Sequence, residues 1–270
     1  SWTVYRPGDG KFEASNVDPN LCTHIFYAFV GLNEDGTLQV LDDWEITGLK
    51  EIDHLMALKQ ENPKLKVIVA MGGWNEGSTK YSQVAADPER RANLVESTLE
   101  FIDQYGFDGF DLAWEFPGQN GGDPERDSGN FVTLLGELKV ALQEKGLILS
   151  ADVTGEAPSM DISYPDVEAV SNNVDLINVL PEDFDFNPDN PYNILGEDWV
   201  YAWDDKHQIP NKINGNATIV YEDAKSLGIK TDLAKKLGLG GAIVWTLDED
   251  DFLGLCDDGA YPLLRSVNSH

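Results

Sequence analysis

The chain has 270 residues, 41% of them hydrophobic and 10% aromatic, enough for a sizeable core and for one large α/β domain spanning residues 1–270. Its 48 acidic residues against 19 basic ones give a formal net charge of -29, which argues against nucleic acid and anionic membranes as partners. No apolar stretch reaches the length of a membrane span, the four histidines lack metal-ligand spacing, and no Gly-rich phosphate loop follows a strand. No metal or cofactor is therefore expected.

In chain order, residues 1–20 read as loop, with Arg6-Pro7-Gly8-Asp9-Gly10 as a turn cluster. Cys22 to Leu32 is an apolar, aromatic and β-branched run that predicts a buried strand. Asp43 to Asn62 has helical spacing, and Lys66 to Trp74 predicts a second buried strand in which Gly72-Gly73 lets the backbone turn or approach a ligand. Asp87-Pro88-Glu89 opens a helix to Tyr105 with an N-cap and a proline at its first position. A strand over Phe107 to Trp114 follows, then a Gly/Asp loop and a helix from Asn130 to Lys145. Leu147 to Val153 and Val174 to Leu180 predict further strands, with a short helix at Tyr164 to Ser171 between them. Asp185 to Asn216 breaks the rhythm and has no clear period. A short strand at Ala217 to Tyr221, a helix over Ala224 to Leu237, a strand over Leu239 to Leu247 and a closing helix over Asp258 to Val267 complete the chain. Apolar strands alternating with amphipathic helices imply parallel βαβ units.

Chemistry gathers on the third of the predicted strands and the residue after it, Phe107-Asp108-Gly109-Phe110-Asp111-Leu112-Ala113-Trp114-Glu115. Residues i and i+2 share a strand face, so Asp111, Ala113 and Glu115 point one way while Phe110, Leu112 and Trp114 point the other, toward helices. Carboxylates are costly to bury unless paired or used. At the C-terminal end of a barrel strand they stand where such enzymes keep their catalytic groups. The bland alternative is an exposed acidic strand in an acidic protein.

The stretch resembles the catalytic motif of glycoside hydrolase family 18, the chitinases and chitinase-like lectins, written Asp-Gly-x-Asp-x-Asp-x-Glu. Asp108, Gly109, Asp111 and Glu115 match it, and Ala113 stands where the middle Asp is expected. Trp2 with Tyr5-Arg6-Pro7-Gly8, Tyr27-Ala28-Phe29, Gly72-Gly73-Trp74-Asn75 and Gly241-Ala242-Ile243-Val244-Trp245 resemble further segments of the family, in order. The resemblance implies a TIM-type (β/α)8 barrel, here incomplete or rearranged. The family's first strand should precede Trp2, the seventh with its Tyr-Gly-Arg is not recognisable, and the α+β insertion domain is largely absent. Residues 193–223 resemble only the tail of that insertion. Where the family reads Met-Thr-Tyr-Asp-Phe, this chain reads Leu180-Pro181-Glu182-Asp183-Phe184, so Asp183 is kept and Glu182 replaces the catalytic Tyr.

Residue types alone leave Cys22 and Cys256 compatible with one disulfide or two thiols. By resemblance each is half of a separate disulfide, with Leu195 in the place of the partner of Cys256. The resemblance also implies substrate-assisted catalysis, in which the substrate's N-acetyl oxygen attacks the anomeric carbon while an acid protonates the leaving oxygen. Glu115 is then the acid and Asp111 its neighbour; Asp183 contacts the acetamido group or holds Glu115. Trp2, Trp74, Trp245 and Phe29 are the expected sugar-binding aromatics, while Trp44, Trp199 and Trp203 read as packing residues.

With Ala113 and Glu182 in place of the expected Asp and Tyr, the expected function is binding of chitin or N-acetylglucosamine oligosaccharides with hydrolysis lost or strongly impaired. An endo-acting chitinase working through Glu115 is the alternative, and a scaffold or signalling protein without a sugar site a further one. A Glu115/Glu182 pair acting as acid and base is a third idea from the residues alone. The glycosylation sequon Asn216-Ala217-Thr218 fits a secreted protein, and a monomer is expected.

Overall fold

The computed structural model describes residues 2–180, 199–215, 217–256 and 258–270, with the side chains of Trp2 and Ala217 excepted. Its first compact unit holds residues 22–184 together with the first two. Five parallel strands form its centre: β1 (His24–Leu32), β3 (Lys66–Gly72), β4 (Gly109–Ala113), β5 (Ile148–Thr154) and β6 (Leu176–Leu180). They pair in that order, and β2 (Leu38–Gln39) lies antiparallel on β1 at the edge. Val67, Ile68, Val69 and Met71 of β3 have no exposed surface, which explains why the strand reads as an unbroken apolar run.

Between the strands run α1 (Asp43–Thr47), α2 (Glu51–Glu61), α3 (Thr79–Ala86), α4 (Pro88–Tyr105), α5 (Asp127–Glu144), α6 (Ala157–Ser163) and α7 (Val167–Asn172). The predicted N-terminus of α4 is realised as read: the Asp87 carboxylate accepts from the backbone N–H of Glu89 and Arg90, with Pro88 at the first position. The helix expected over residues 43–62 is instead two, because Lys50 takes a left-handed conformation at φ 56° and restarts the backbone. Helices α3 and α6 were not read from the sequence. Both are short, and their apolar content is too sparse to show a period. Trp44, expected to pack, is 63% exposed.

The second unit combines residues 3–21 with residues 185–270. A three-stranded antiparallel sheet, β7 (Val200–Asp204), β8 (Ile209–Asn214) and β9 (Ala217–Val220), lies within the stretch read as irregular and its short neighbouring strand. Its β7–β8 turn is held by Asp204, which accepts from the N–H of Lys206 and His207. Helix α8 (Ala224–Leu237) begins in a reciprocal cap between Asp223 and Ser226, and α9 (Pro262–Ser269) ends the chain. Phe12 meets Phe252 edge-on at 4.9 Å, and the Tyr261 hydroxyl donates to the Asn16 carbonyl at 2.7 Å, tying the N-terminal turns to the C-terminal segment.

One expected strand is not formed. Residues 239–246 make no strand ladder among the described residues, and Ile243, Val244 and Trp245 are 40%, 40% and 58% exposed. A strand is completed by backbone partners on its flanks.

Candidate active site at the end of the fourth strand

Strand β4 is short and wholly buried, and its alternation sorts the side chains as predicted. Phe110, Leu112 and Trp114 are fully buried; Trp114 packs edge-on against Phe131 of α5 at 6.0 Å and beside Tyr81 of α3 at 5.8 Å. The Trp114 indole N–H donates to the Ser78 hydroxyl at 2.9 Å, and that hydroxyl donates to the Phe116 carbonyl at 3.0 Å.

Asp111 points to the opposite face, into a polar row supplied by the next two strands. The Ser150 hydroxyl of β5 donates to Asp111 Oδ1 at 2.5 Å, and Asn178 Nδ2 of β6 donates to the same oxygen at 3.1 Å. Asn178 Nδ2 also donates to Asp152 Oδ1 at 3.0 Å, so one amide bridges two carboxylates. Burial holds the Asp111 carboxyl well above the usual carboxylate range, and the negative charges of Asp152 and Glu115 push it further the same way. The donations from Ser150 and Asn178 oppose that shift without cancelling it.

Glu115, just past the strand end, is partly exposed. Its charge is felt by Asp111, Tyr81 and Tyr164. Tyr164 is buried, and its hydroxyl donates to the Asp152 carbonyl at 3.4 Å. Burial first, then the Asp152 and Glu115 charges, raise the Tyr164 phenol above its ordinary value.

The loop after Glu115 is fastened from three sides. Asp127 Oδ2 accepts from the N–H of Gly118 and Asp123, the Ser163 hydroxyl donates to the Pro117 carbonyl at 2.7 Å, and the Ser78 N–H donates to the Asn120 carbonyl at 3.0 Å. On the adjoining loop after β3, Gly73 has φ 95°, and a Cβ there would stand 2.7 Å from the Phe29 ring. Only glycine fits both demands. Trp74 follows, 60% exposed, with its ring centroid 6.4 Å from that of Phe116.

Of the residues singled out from the sequence, Asp111, Glu115, Phe29 and Trp74 therefore belong to one unit. In it the charge of Glu115 acts on Asp111, and the Phe29 ring of β1 stands against Gly73, the residue before Trp74. Non-proline cis peptide bonds precede Phe29 and follow Glu115 and Trp245. Trp245 belongs to the second unit. Glu182 and Asp183 lie outside the described residues, as does the side chain of Trp2. Asp108, the first acid of the motif, sits at the other end of the strand. Its carboxylate accepts from Lys59 at 2.7 Å, from Lys66 at 3.2 Å and from the Val67 N–H at 2.9 Å, and so straps β4 to its neighbours.

Sequence reasoning missed Ser150, Asp152 and Asn178. The available signal was that Ser150 and Asp152 alternate with apolar residues in a strand otherwise buried on both faces. Among the described residues no three His, Cys, Asp or Glu side chains group as a metal site requires, and no helix is long and apolar enough to cross a membrane.

The profile of glycosyl hydrolases family 18 matches residues 1–195 and 186–250. The chain belongs to this family. It is 28% identical to chitotriosidase-1 of Mus musculus over 361 positions, covering 99% of this chain and 75% of the relative. Probable chitinase 2 of Drosophila melanogaster is 29% identical over 382 positions, with 99% and 78% covered. Since the chain has 270 residues, alignments of 361 and 382 positions mean that both relatives carry segments without a counterpart here. Among solved structures, Ostrinia furnacalis group IV chitinase in complex with allosamidin superposes with a TM-score of 0.91 at 27% identity, covering 99% of this chain and 96% of that one. The second catalytic domain of the group II chitinase of the same insect, a mutant in complex with penta-N-acetylchitooctaose (NAG)5, superposes at 0.87 and 25% identity, with 99% and 93% covered. The fold is thus the TIM-type α/β fold of the family 18 chitinases, with a sheet that stays open among the described residues.

Proposed function

We propose that this family 18 protein binds N-acetylglucosamine oligosaccharides of the chitin type at the end of β4 and hydrolyses them slowly. The observation that carries the reading is the state of the motif: Asp111 and Glu115 are present at the C-terminal end of β4, close enough for the charge of Glu115 to act on Asp111, and Ala113 occupies the position between them. In the substrate-assisted route, the acetamido oxygen bonds to the anomeric carbon as the glycosidic C–O bond breaks, and Glu115 gives its proton to the leaving oxygen. Water then opens the cyclic intermediate, returning a proton to Glu115. The proton affinity of Asp111, further back in the same row, is raised by burial and then by the charges of Asp152 and Glu115. Loss of one transition-state electrostatic partner costs roughly two to three powers of ten in rate, and Ala113 is such a loss, as is Glu182 in place of the phenol. Asp183 is assigned to the acetamido group or to holding Glu115.

Binding depends on other groups. The exposed Trp74 face beside Phe116, with Phe29 against Gly73, offers the flat apolar surface on which a sugar ring stacks. Two structural relatives, one with bound allosamidin and one with a bound chitooligosaccharide, support this choice of ligand class. We also assign the protein to the extracellular space as a monomer.

The test is a titration of tryptophan fluorescence with chitohexaose beside a reducing-end assay on the same sample. Saturable quenching or enhancement with slow release of reducing ends is the expected result. Release at the rate of an intact family 18 chitinase would refute the impairment, and no response in either assay would refute the sugar site.

A further inference from the structure

The register of β4 and β5 brings a carboxylate to the place the motif leaves empty. Asp111 pairs with Ser150 and Leu112 with Ala151, so the next step along both parallel strands sets Ala113 alongside Asp152. The side chains share a face: Ser150 touches Asp111, and Ala113 and Asp152 each lie two residues further on. Asp152 in turn pairs with Asn178, whose two amide hydrogens reach Asp111 and Asp152 at 3.1 and 3.0 Å.

We infer that Asp152 replaces, from the neighbouring strand, the carboxylate that position 113 lacks, and that it acts on the chemistry at Glu115 through Asp111 as a positioning residue. This rests on the proposed reading of the site as one that takes an N-acetylated sugar. Asp111 is 1% exposed and Asp152 7% exposed, and two buried carboxylates bridged by one amide do not both ionise readily. The pair therefore holds one proton; Asp111, the more deeply buried of the two, keeps it, and the single negative charge stands on Asp152 alongside Ala113. That charge favours the cationic character which the acetamido group acquires as its oxygen attacks. The described titratable groups facing it include Glu115, whose charge acts on Asp111, and the Tyr164 phenol, whose hydroxyl donates to the backbone of Asp152. A carboxylate on β4 and one on β5 in the same row are thus alternative ways to supply the same field.

Asp152→Asn is the informative substitution, because an amide of the same shape still accepts from Asn178 and takes the charge off the step alongside Ala113. The double variant Ala113→Asp with Asp152→Ala returns the carboxylate to β4. Reducing-end release from chitotetraose is followed between about pH 4 and 9 for each protein, with binding measured by calorimetry on the same preparations. The expected result is binding within about threefold throughout, cleavage lowered by about a hundredfold in D152N with one limb of the pH profile gone, and recovery in the double variant. D152N cleaving within about threefold of the unmodified protein with the same pH profile would overturn the inference. So would saturable binding without any cleavage by the unmodified protein. Absence of binding by the unmodified protein would instead overturn the sugar-site reading, and the inference with it.

Discussion

Asp127 offers the sharpest test of how the loop behind Glu115 is held. It is fully buried at the start of α5, and its carboxylate accepts from the Gly118 N–H at 3.1 Å, the Asp123 N–H at 2.7 Å and the Ser82 hydroxyl at 2.7 Å. Gly122 makes room for it, since a Cβ there would stand 2.4 Å from Asp127 Oδ2. Hydrogen bonds to a charged group are worth about 1.5–3 kcal/mol each, so three give an upper range of about 4.5–9 kcal/mol. The donors lie at a loop that water reaches once the carboxylate is gone, and the terms are not additive, so Asp127→Ala is expected to cost about 3–5 kcal/mol. Asp127→Asn keeps one oxygen for both backbone donors and an amide that can donate to Ser82, so its cost should be about 1–2 kcal/mol. Urea unfolding followed by far-UV circular dichroism measures both. A loss below about 1 kcal/mol for the alanine variant, or equal losses for the two, would refute the assignment of this carboxylate as the anchor of the loop.

Trp114→Phe removes the donor to Ser78 and leaves unfilled space between Tyr81 and Phe131; a loss of about 2–4 kcal/mol is expected in the same denaturation assay, and a shift under about 1 kcal/mol would contradict the packing argument. The two motif aspartates should titrate in opposite senses. Burial alone would raise Asp108, but the donations of Lys59, Val67 N–H and Lys66 outweigh it and hold the carboxyl below its ordinary range. Its contribution to stability is therefore present above the unfolded value of about 3.9 and lost as pH falls through the folded one. Asp111 is raised, so the native state keeps its proton when the unfolded chain has lost it, and stability declines as pH rises above about 4 toward the folded value. Unfolding free energies across pH should show Asp108→Asn flattening the acid side and Asp111→Asn flattening the decline above it; the reverse assignment would show the sign to be wrong.

Much of the architecture was legible from local patterns. Apolar runs bounded by polar turns marked β1, β3, β4, β5 and β6 to within a few residues, because strands buried on both faces admit little else. The Asp87-Pro88 start of α4 was legible because a cap is a contact between neighbours in the chain. The β7–β8–β9 sheet was not. Its residues are largely exposed or half-buried, so pairing rather than burial defines the strands, and no hydrophobic period records it. The reverse holds for residues 239–246, whose composition is that of a buried strand and which make no ladder among the described residues.

The candidate site divides along the same line. By itself the sequence determined that Asp111, Ala113 and Glu115 share one face and that Trp114 faces the helices, since a period of two follows from the backbone alone. Which groups meet Asp111 was decided only by the tertiary structure. Ser150 and Asn178 lie 39 and 67 residues away along the chain, and nothing in either segment encodes the register that aligns them with Asp111. That register is set by how whole strands pack between their helices. A carboxylate on a neighbouring strand can therefore stand beside Ala113 with no mark of it in the motif.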